Sequence, residues 1–132
     1  AEADVRTVLA HDLAMIGSDG LPFDARPHPR LWGTFPRVLG HYARDAGVLS
    51  LAEAVRRMTG LPAETFGIPD RGFVREGCFA DLVLFDPGRI RDGSSLAEPT
   101  APAEGIAQVY VNGMAAAPGA GRQILPAHAT VA

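Results

Sequence analysis

A single short apolar run constrains the first half of this chain more than any other feature. Residues 13–16 read Leu-Ala-Met-Ile, and a turn-forming Gly-Ser-Asp-Gly follows at 17–20. A wholly apolar run of this length is typical of a parallel strand that is covered on both faces, so we predict a strand over 13–16. Because one strand cannot form a sheet and no other strand is predicted in the first half, the partners of this strand are missing.

Helices are predicted on both sides of this strand. Apolar residues at helical spacing predict a helix over 3–10 and another over 35–46. Ser50 and Glu53 match a capping box, which predicts a helix that begins after Ser50 and runs to Gly60. The other predicted elements are a proline-rich loop over 20–36, a very short helix over 61–67, a strand over 80–86, a loop over 88–104 and a hairpin around Asn112-Gly113.

Length and composition exclude several classes of protein. The 132 residues, 47% of them hydrophobic, suit one small globular domain, whereas a complete (β/α)8 barrel needs about 200 residues or more. A net charge of −3 argues against a dedicated nucleic-acid binder. The lone Cys78 excludes an internal disulfide and is predicted to be a small buried apolar side chain. No run is long enough to span a membrane, and we expect a cytoplasmic protein whose first residues resemble the middle of a longer chain.

Asp19 is the most informative polar residue. It follows the predicted strand, at the position where α/β barrels carry catalytic groups. A carboxylate there could bind a metal ion or act as a general base. The alternative is that Ser18-Asp19-Gly20 forms only an Asx-type turn.

The proline-rich loop carries a second group of candidates. Arg30 is suited to bidentate recognition of a carboxylate, and His28 is held between two prolines. Trp32 could line a pocket. The alternative is that all of these are solvated side chains on a stiff loop or, for Trp32, ordinary packing.

The chain's own residues do not define a metal site. Catalytic zinc usually takes three protein ligands, and the four histidines show no His-x-His or His-x-x-x-His spacing. Nucleophile elbows, Walker loops and dinucleotide fingerprints are also absent from the sequence.

Longer motifs point to a family. The string Met-Ile-Gly-Ser-Asp-Gly-Leu-Pro at 15–22 and the string Pro-His-Pro-Arg-Leu-Trp-Gly-Thr-Phe-Pro-Arg-Val-Leu at 27–39 resemble the N-acyl-D-amino-acid deacylases (D-aminoacylases) of the amidohydrolase superfamily. Met-Thr-Gly-Leu-Pro-Ala at 58–63, Ala-Asp-Leu-Val-Leu-Phe-Asp at 80–86 and Val-Tyr-Val-Asn-Gly at 109–113 are similar to that family's C-terminal region.

The resemblance implies an α/β fold in which this chain forms the C-terminal part of a metal-dependent (β/α)8 barrel and the C-terminal strands of a small β-sandwich. Residues 1–67 would comprise the last barrel strand and its following helices, residues 68–125 the sandwich share, and residues 126–132 a tail. The upstream barrel portion would come from the same protein or from a complementing chain. Without it, this chain is expected to be inactive. The barrel edge beside residues 13–16 would then be prone to aggregation.

The resemblance also implies a chemistry. Zinc (Zn2+) would polarise the amide of an N-acyl-D-amino acid, while Asp19, beside the metal and a possible ligand, takes a proton from water and passes it to the departing amine. His28 and Arg30 would lie at the mouth of the substrate pocket, with Arg30 or Arg26 facing the substrate carboxylate. The other metal ligands would lie upstream. Phe23 stands where many relatives are expected to carry a polar residue.

Two alternatives remain open at this point. The chain could be a non-catalytic binding or subunit-interaction module, or it could belong to an amidohydrolase that acts on another C–N bond.

Overall fold

The structure, a computed structural model, describes residues 1–21, 23 and 26–121. Helices form its first half and a small antiparallel sheet its second. None of the helices in these residues is long and apolar enough to cross a bilayer. The elements are α1 (Glu2–Ala10), α2 (Arg30–Arg37), a π-helical segment (Val38–Asp45) that continues α2, α3 (Leu51–Met58), α4 (Gly60–Thr65), β1 (Leu82–Phe85), β2 (Ile106–Val111) and β3 (Met114–Ala115).

The helices predicted from capping and periodicity are confirmed. Ser50 precedes α3 with extended backbone, and its Oγ accepts a hydrogen bond of 3.1 Å from the backbone N–H of Glu53. This side chain therefore satisfies one of the amides that a helix start leaves unpaired. The helix predicted to end near Gly47 also ends there, because Gly47 has a φ of 59°, which ends the preceding π-helical segment.

The predicted loop over 20–36 is wrong for its last seven residues, since α2 begins at Arg30. Pro29 precedes the helix with helical backbone, φ −56° and ψ −20°, and a proline there is compatible with a helix start. Pro36 lies inside α2 and supplies no N–H for the helical ladder. The backbone continues directly into the wider π-helical turns from Val38 onward, so the proline does not end the helix.

The predicted strand over residues 13–16 does not form. Residues 14–20 have no regular secondary structure, although their side chains alternate between exposed and half-buried. Leu13 is 76% exposed, and the backbone N–H of Ile16 donates to the carbonyl oxygen of Arg57 at 3.2 Å. A strand requires a neighbouring strand, and in the described part of the chain none lies beside this segment. Residues 13–16 therefore form no strand in this structure.

The sheet and its hairpin are confirmed. The three strands have the order β1-β2-β3 and pair antiparallel, with Leu82 opposite Tyr110. Asn112 and Gly113 have φ angles of 53° and 81°, as a two-residue hairpin turn requires. Asp81 fixes this turn, because its Oδ1 accepts a 2.8 Å hydrogen bond from the backbone N–H of Asn112. Desolvation by itself would raise the pKa of Asp81, but that hydrogen bond and the interactions with Arg71 together outweigh it and keep the pKa below its ordinary value.

Ile90 joins the helical half to the sheet half. It comes from the predicted loop over 88–104 and is 1% exposed in a cluster with residues of α1, α3 and the π-helical segment. Burying such a side chain contributes about 1.5–3 kcal/mol. The approach is so close that a Cβ on Gly40 would collide with the carbonyl oxygen of Ile90. The buried cluster comprises Leu9, Val38, Leu39, Tyr42, Ala43, Ala54 and Ile90.

Cys78 differs from its predicted environment. Its side chain is half-buried rather than enclosed, and its Sγ accepts a 3.4 Å hydrogen bond from Nε of Arg75. The division of the chain at residue 67 into barrel and sandwich portions stays a prediction. The last residues of the sandwich share and the predicted tail over 126–132 lie outside the described residues.

The hairpin turn gives a direct test of the sheet. Gly113→Ala places a side chain at a φ of 81° in otherwise open space, where the nearest atom to the new Cβ is 3.9 Å away. We expect the free energy of unfolding to fall by about 1–2 kcal/mol from backbone strain alone, measured by urea denaturation. Gly121→Ala, which has no atom within 4 Å of the new Cβ, serves as the matched control. Equal stability of the two variants would contradict the turn geometry.

Candidate functional site

Asp19 and Arg30 form the centre of the candidate site. Nη1 of Arg30 lies 3.2 Å from Oδ2 of Asp19, and their side chains are 46% and 84% exposed. Asp19 has a φ of 48°, a left-handed conformation that aspartate tolerates better than most residues. The structure therefore brings two of the predicted site residues together and leaves the carboxylate open to solvent.

His28 contacts this pair through the backbone. Its Nδ1 accepts a 3.1 Å hydrogen bond from the backbone N–H of Arg30. His28 thus satisfies an amide at the start of α2 while its side chain remains exposed. Arg26 is exposed as well, and the ion pair with Asp19 is made by Arg30 rather than by Arg26.

The start of α2 is anchored from the sheet half of the chain. Ser94 donates a 3.0 Å hydrogen bond from Oγ to the carbonyl oxygen of Pro29. Gly33 of α2 lies against Ser94 and Asp92. One turn later in the same helix, Nη1 of Arg37 donates a 3.1 Å hydrogen bond to Asp92. The loop over 88–104 therefore holds the helix that carries Arg30.

Asp19 is positioned by its neighbours in the sequence. On one side, a Cβ on Gly20 would lie 2.7 Å from Cα of Leu31, so only a glycine permits this approach to α2. On the other side, the N–H of Ile16 is bound to the carbonyl oxygen of Arg57 in α3. The turn that carries Asp19 is thus connected to two different helices.

Arg57 is a residue that the sequence analysis missed. Its side chain is 3% exposed, and Nη1 donates to the carbonyl oxygens of Leu9 and His11 at 2.6 and 2.5 Å. Its Nε donates to Oε1 of Glu53 at 2.5 Å. The sequence offered one signal for its burial. Arg57 lies three residues after Ala54, so the two share a face of α3, and the side chain of Ala54 is fully buried.

No metal centre is formed by the residues that the structure describes. They contain no group of three or more His, Cys, Asp or Glu side chains close enough to hold an ion. Asp19 is one carboxylate with an arginine partner, which does not amount to the three protein ligands usual at catalytic zinc. The donor groups among the described residues therefore do not fit a complete catalytic metal site.

An apolar groove lies between the helices and the sheet. It has a volume of about 950 Å³, and Trp32 is among its lining residues. Asp19 and His28 are not among its lining residues. The principal apolar side chains are Trp32, Phe35, Leu39, Val55, Phe73, Leu82, Val83, Phe85 and Ile106.

Comparison with known proteins decides the family. The model of the Amidohydrolase family matches residues 3–116 of this chain. The chain belongs to the amidohydrolase family.

Individual amidohydrolases are highly similar to it. A D-aminoacylase of Alcaligenes xylosoxydans xylosoxydans is 60% identical over 112 residues, which are 85% of this chain and 23% of that protein. An N-acyl-D-glutamate deacylase of the same organism is 50% identical over 127 residues, 96% of this chain and 25% of its own length. The chain thus spans about a quarter of the length of these curated relatives.

Solved structures agree with this assignment. The crystal structure of a D-aminoacylase superposes with a TM-score of 0.86 and 58% identity, covering 87% of this chain and 24% of that one. An N-acyl-D-glutamate deacylase from Bordetella bronchiseptica, solved with zinc and a phosphonate mimic of the tetrahedral intermediate, has a TM-score of 0.87 and 50% identity over 90% of this chain and 25% of its own. A further D-aminoacylase structure is described as having a binuclear metal centre. The observed α/β fold with its small sheet is therefore that of part of an amidohydrolase.

The ion pairs around Arg57 predict how stability changes with pH. Hydrogen bonds from Arg56, and next from Arg57, lower the pKa of Glu53 from its ordinary 4.5 to about 2. Because the folded-state pKa is depressed, this contribution is complete above pH 4.5 and is lost as the pH falls from 4.5 towards 2. We expect the thermal-unfolding midpoint of Glu53→Gln to change less between pH 4.5 and pH 2 than that of the wild type. A variant whose midpoint falls as steeply as the wild type would contradict the assignment.

Proposed function

We propose that this chain is the C-terminal portion of a metal-dependent N-acyl-D-amino-acid deacylase. The observation that carries the proposal is the identity of 60% and 50% to a D-aminoacylase and an N-acyl-D-glutamate deacylase, together with an exposed carboxylate at Asp19. The reaction is hydrolysis of the amide, which yields a carboxylate and a free D-amino acid.

Asp19 is the proposed general base. Its carboxylate takes a proton from the water that attacks the amide carbon and then delivers that proton to the amide nitrogen as the C–N bond breaks. The exposure of Asp19 supports this role, since its one described charged partner is the solvent-exposed Arg30.

Arg30 is the proposed ligand of the substrate carboxylate. An ion pair as exposed as that between Arg30 and Asp19 contributes only about 0–1 kcal/mol, so a substrate carboxylate could replace Asp19 as the partner of the guanidinium at little cost. That exchange would leave Asp19 free for the proton transfer. His28, by fixing the backbone N–H of Arg30, orients the start of α2, while Arg26 remains a second candidate at the pocket mouth.

The metal centre is assigned to the remainder of the protein. Zinc is the expected ion, and a related deacylase was crystallised with it. Since the residues described in this chain do not form a complete site, the missing ligands would come from the three quarters of the relatives' length that this chain does not span.

The role of Asp19 is tested by substitution in the complete protein. We expect Asp19→Asn to lower kcat for N-acyl-D-amino acids by about 100-fold or more, as loss of a general base does, with amine release measured by a colorimetric assay. Asp45→Asn is the matched control, because Asp45 is an exposed aspartate paired with Arg44 elsewhere on the molecule. Undiminished turnover in Asp19→Asn would remove Asp19 from the mechanism. Hydrolysis of cyclic amides alone by the wild type would indicate another C–N bond as the substrate.

We also propose that the upstream portion of the protein, on the same or a complementing chain, is the partner of this chain. The support is the open apolar groove of about 950 Å³, which includes side chains as exposed as Val74 at 89% and Val83 at 54%. Apolar surfaces of this extent are usually covered by another part of a protein.

A dye that fluoresces on apolar surfaces tests this partner. We expect anilinonaphthalene sulfonate to fluoresce more strongly with the isolated chain than with the complete protein, because the upstream portion covers the groove. Val83→Asp should reduce the signal of the isolated chain, whereas Val8→Asp, at a comparably exposed position on α1 outside the groove, should not. Equal fluorescence of the isolated chain and the complete protein would contradict the proposal.

A further inference from the structure

Arg57 is the one charged side chain that is fully buried among the described residues. All of the protein's basic residues are arginines, and the others that form ion pairs are more exposed than Arg57. Burying a charge is unfavourable unless its donors are satisfied. A specific structural requirement should therefore account for this position.

The contacts of Arg57 converge on one segment. Nη1 donates to the carbonyl oxygens of Leu9 and His11, and Nη2 lies 3.7 Å from Oδ1 of Asp12. These residues form the end of α1 and the turn after it. A guanidinium suits this task because its donors are fixed in a planar fork, so two carbonyl oxygens and a carboxylate are reached at once.

The backbone of Arg57 holds the same segment a second time. Its carbonyl oxygen accepts the N–H of Ile16 at 3.2 Å, and Ile16 is three residues before Asp19. Arg57 thus binds the segment near its start through the side chain and near its end through the main chain. The other backbone–backbone hydrogen bonds described for residues 11–16 are local, from His11 to Val8 and from Ala14 to His11. Arg56, the neighbour of Arg57 on α3, also donates to this segment, from Nη2 to the carbonyl oxygen of Asp12 at 3.5 Å.

Glu53 keeps the guanidinium in place. It lies one turn earlier on α3, accepts from Nε of Arg57 at 2.5 Å and also pairs with Arg56 at 2.8 Å. Its backbone N–H is in turn bound by Ser50 at the start of α3. The position of the Arg57 side chain is therefore determined by a helix whose beginning is fixed.

We propose that Arg57 is a positioning residue for Asp19: by binding the segment over 9–16 to α3 at two points, it sets where the carboxylate of Asp19 lies relative to Arg30. This inference rests on the proposed function of Asp19. It does not require that Arg57 contact the substrate.

The test uses the complete protein, its metal bound, and compares Arg57→Met, which removes the charge, with Arg57→Lys, which keeps it. Because a misplacement of about 1 Å can cost about 100-fold in rate, we expect Arg57→Met to lower kcat by about 100-fold while KM changes less than about threefold. Arg57→Lys should recover about tenfold of that loss, since a lysine supplies donors without the fork. Rates are normalised to the folded fraction measured by circular dichroism.

Hydrogen exchange gives a second reading that is independent of activity. In Arg57→Met we expect faster amide exchange over residues 11–16, including Ile16, with α4 and β1–β3 unchanged. Arg6→Met is the matched control, because Arg6 also pairs with a glutamate four residues earlier in its helix but is exposed; it should leave both kcat and exchange unaltered.

The outcomes separate this proposal from the proposed function. If the wild type hydrolyses no N-acyl-D-amino acid, the proposed function fails, and the exchange experiment still decides whether Arg57 orders residues 11–16. If the wild type is active, unchanged kcat in Arg57→Met overturns the positioning role. A uniform acceleration of exchange throughout the chain, with kcat per folded molecule unchanged, would show that Arg57 serves stability alone.

Discussion

The close approach of Gly40 to Ile90 is the constraint on which the arrangement of the two halves depends. Since a Cβ on Gly40 would collide with the carbonyl oxygen of Ile90, this position admits no larger residue without moving the loop. Arg44, one helical turn later, donates to that same carbonyl at 2.8 Å and to those of Pro87 and Gly88 at 3.3 Å. Once Ile90 is seated, the next residues of its loop reach α2, where Ser94 binds the carbonyl of Pro29. A packing contact far from Asp19 therefore fixes the helix that carries Arg30.

Features determined by neighbouring residues were predictable from the sequence. The Ser50 cap, the turn at Asn112-Gly113 and the stop at Gly47 each depend on chemistry within four residues, and all three occur in the structure. The strand over 13–16 was wrong because a strand depends on a partner, which local sequence does not supply. The start of α2 was missed because the surrounding prolines indicated a loop, although a proline before or in the first turn is compatible with a helix.

The candidate site likewise combines residues that the sequence predicted with one that it did not. Asp19 and Arg30 were predicted separately, and the structure places them 3.2 Å apart. Arg57 was not predicted, because its partners lie 46 and 48 residues away in the sequence and are backbone carbonyls. A backbone carbonyl is present at every residue, so no pattern of side chains could indicate this contact. Only the tertiary structure shows this contact.

Arg30 and Arg57 differ in burial, and this difference explains how Asp19 can be fixed in position while its carboxylate stays accessible. Arg57 is 3% exposed and binds the segment before Asp19, and removing one partner of a buried charge is strongly unfavourable. Arg30 is 46% exposed and contacts the carboxylate itself, so water and other anions can compete for its guanidinium. If these two roles were exchanged, a buried arginine would hold the Asp19 carboxylate permanently and an exposed one would leave its position undefined. The burial of each arginine thus matches the task proposed for it.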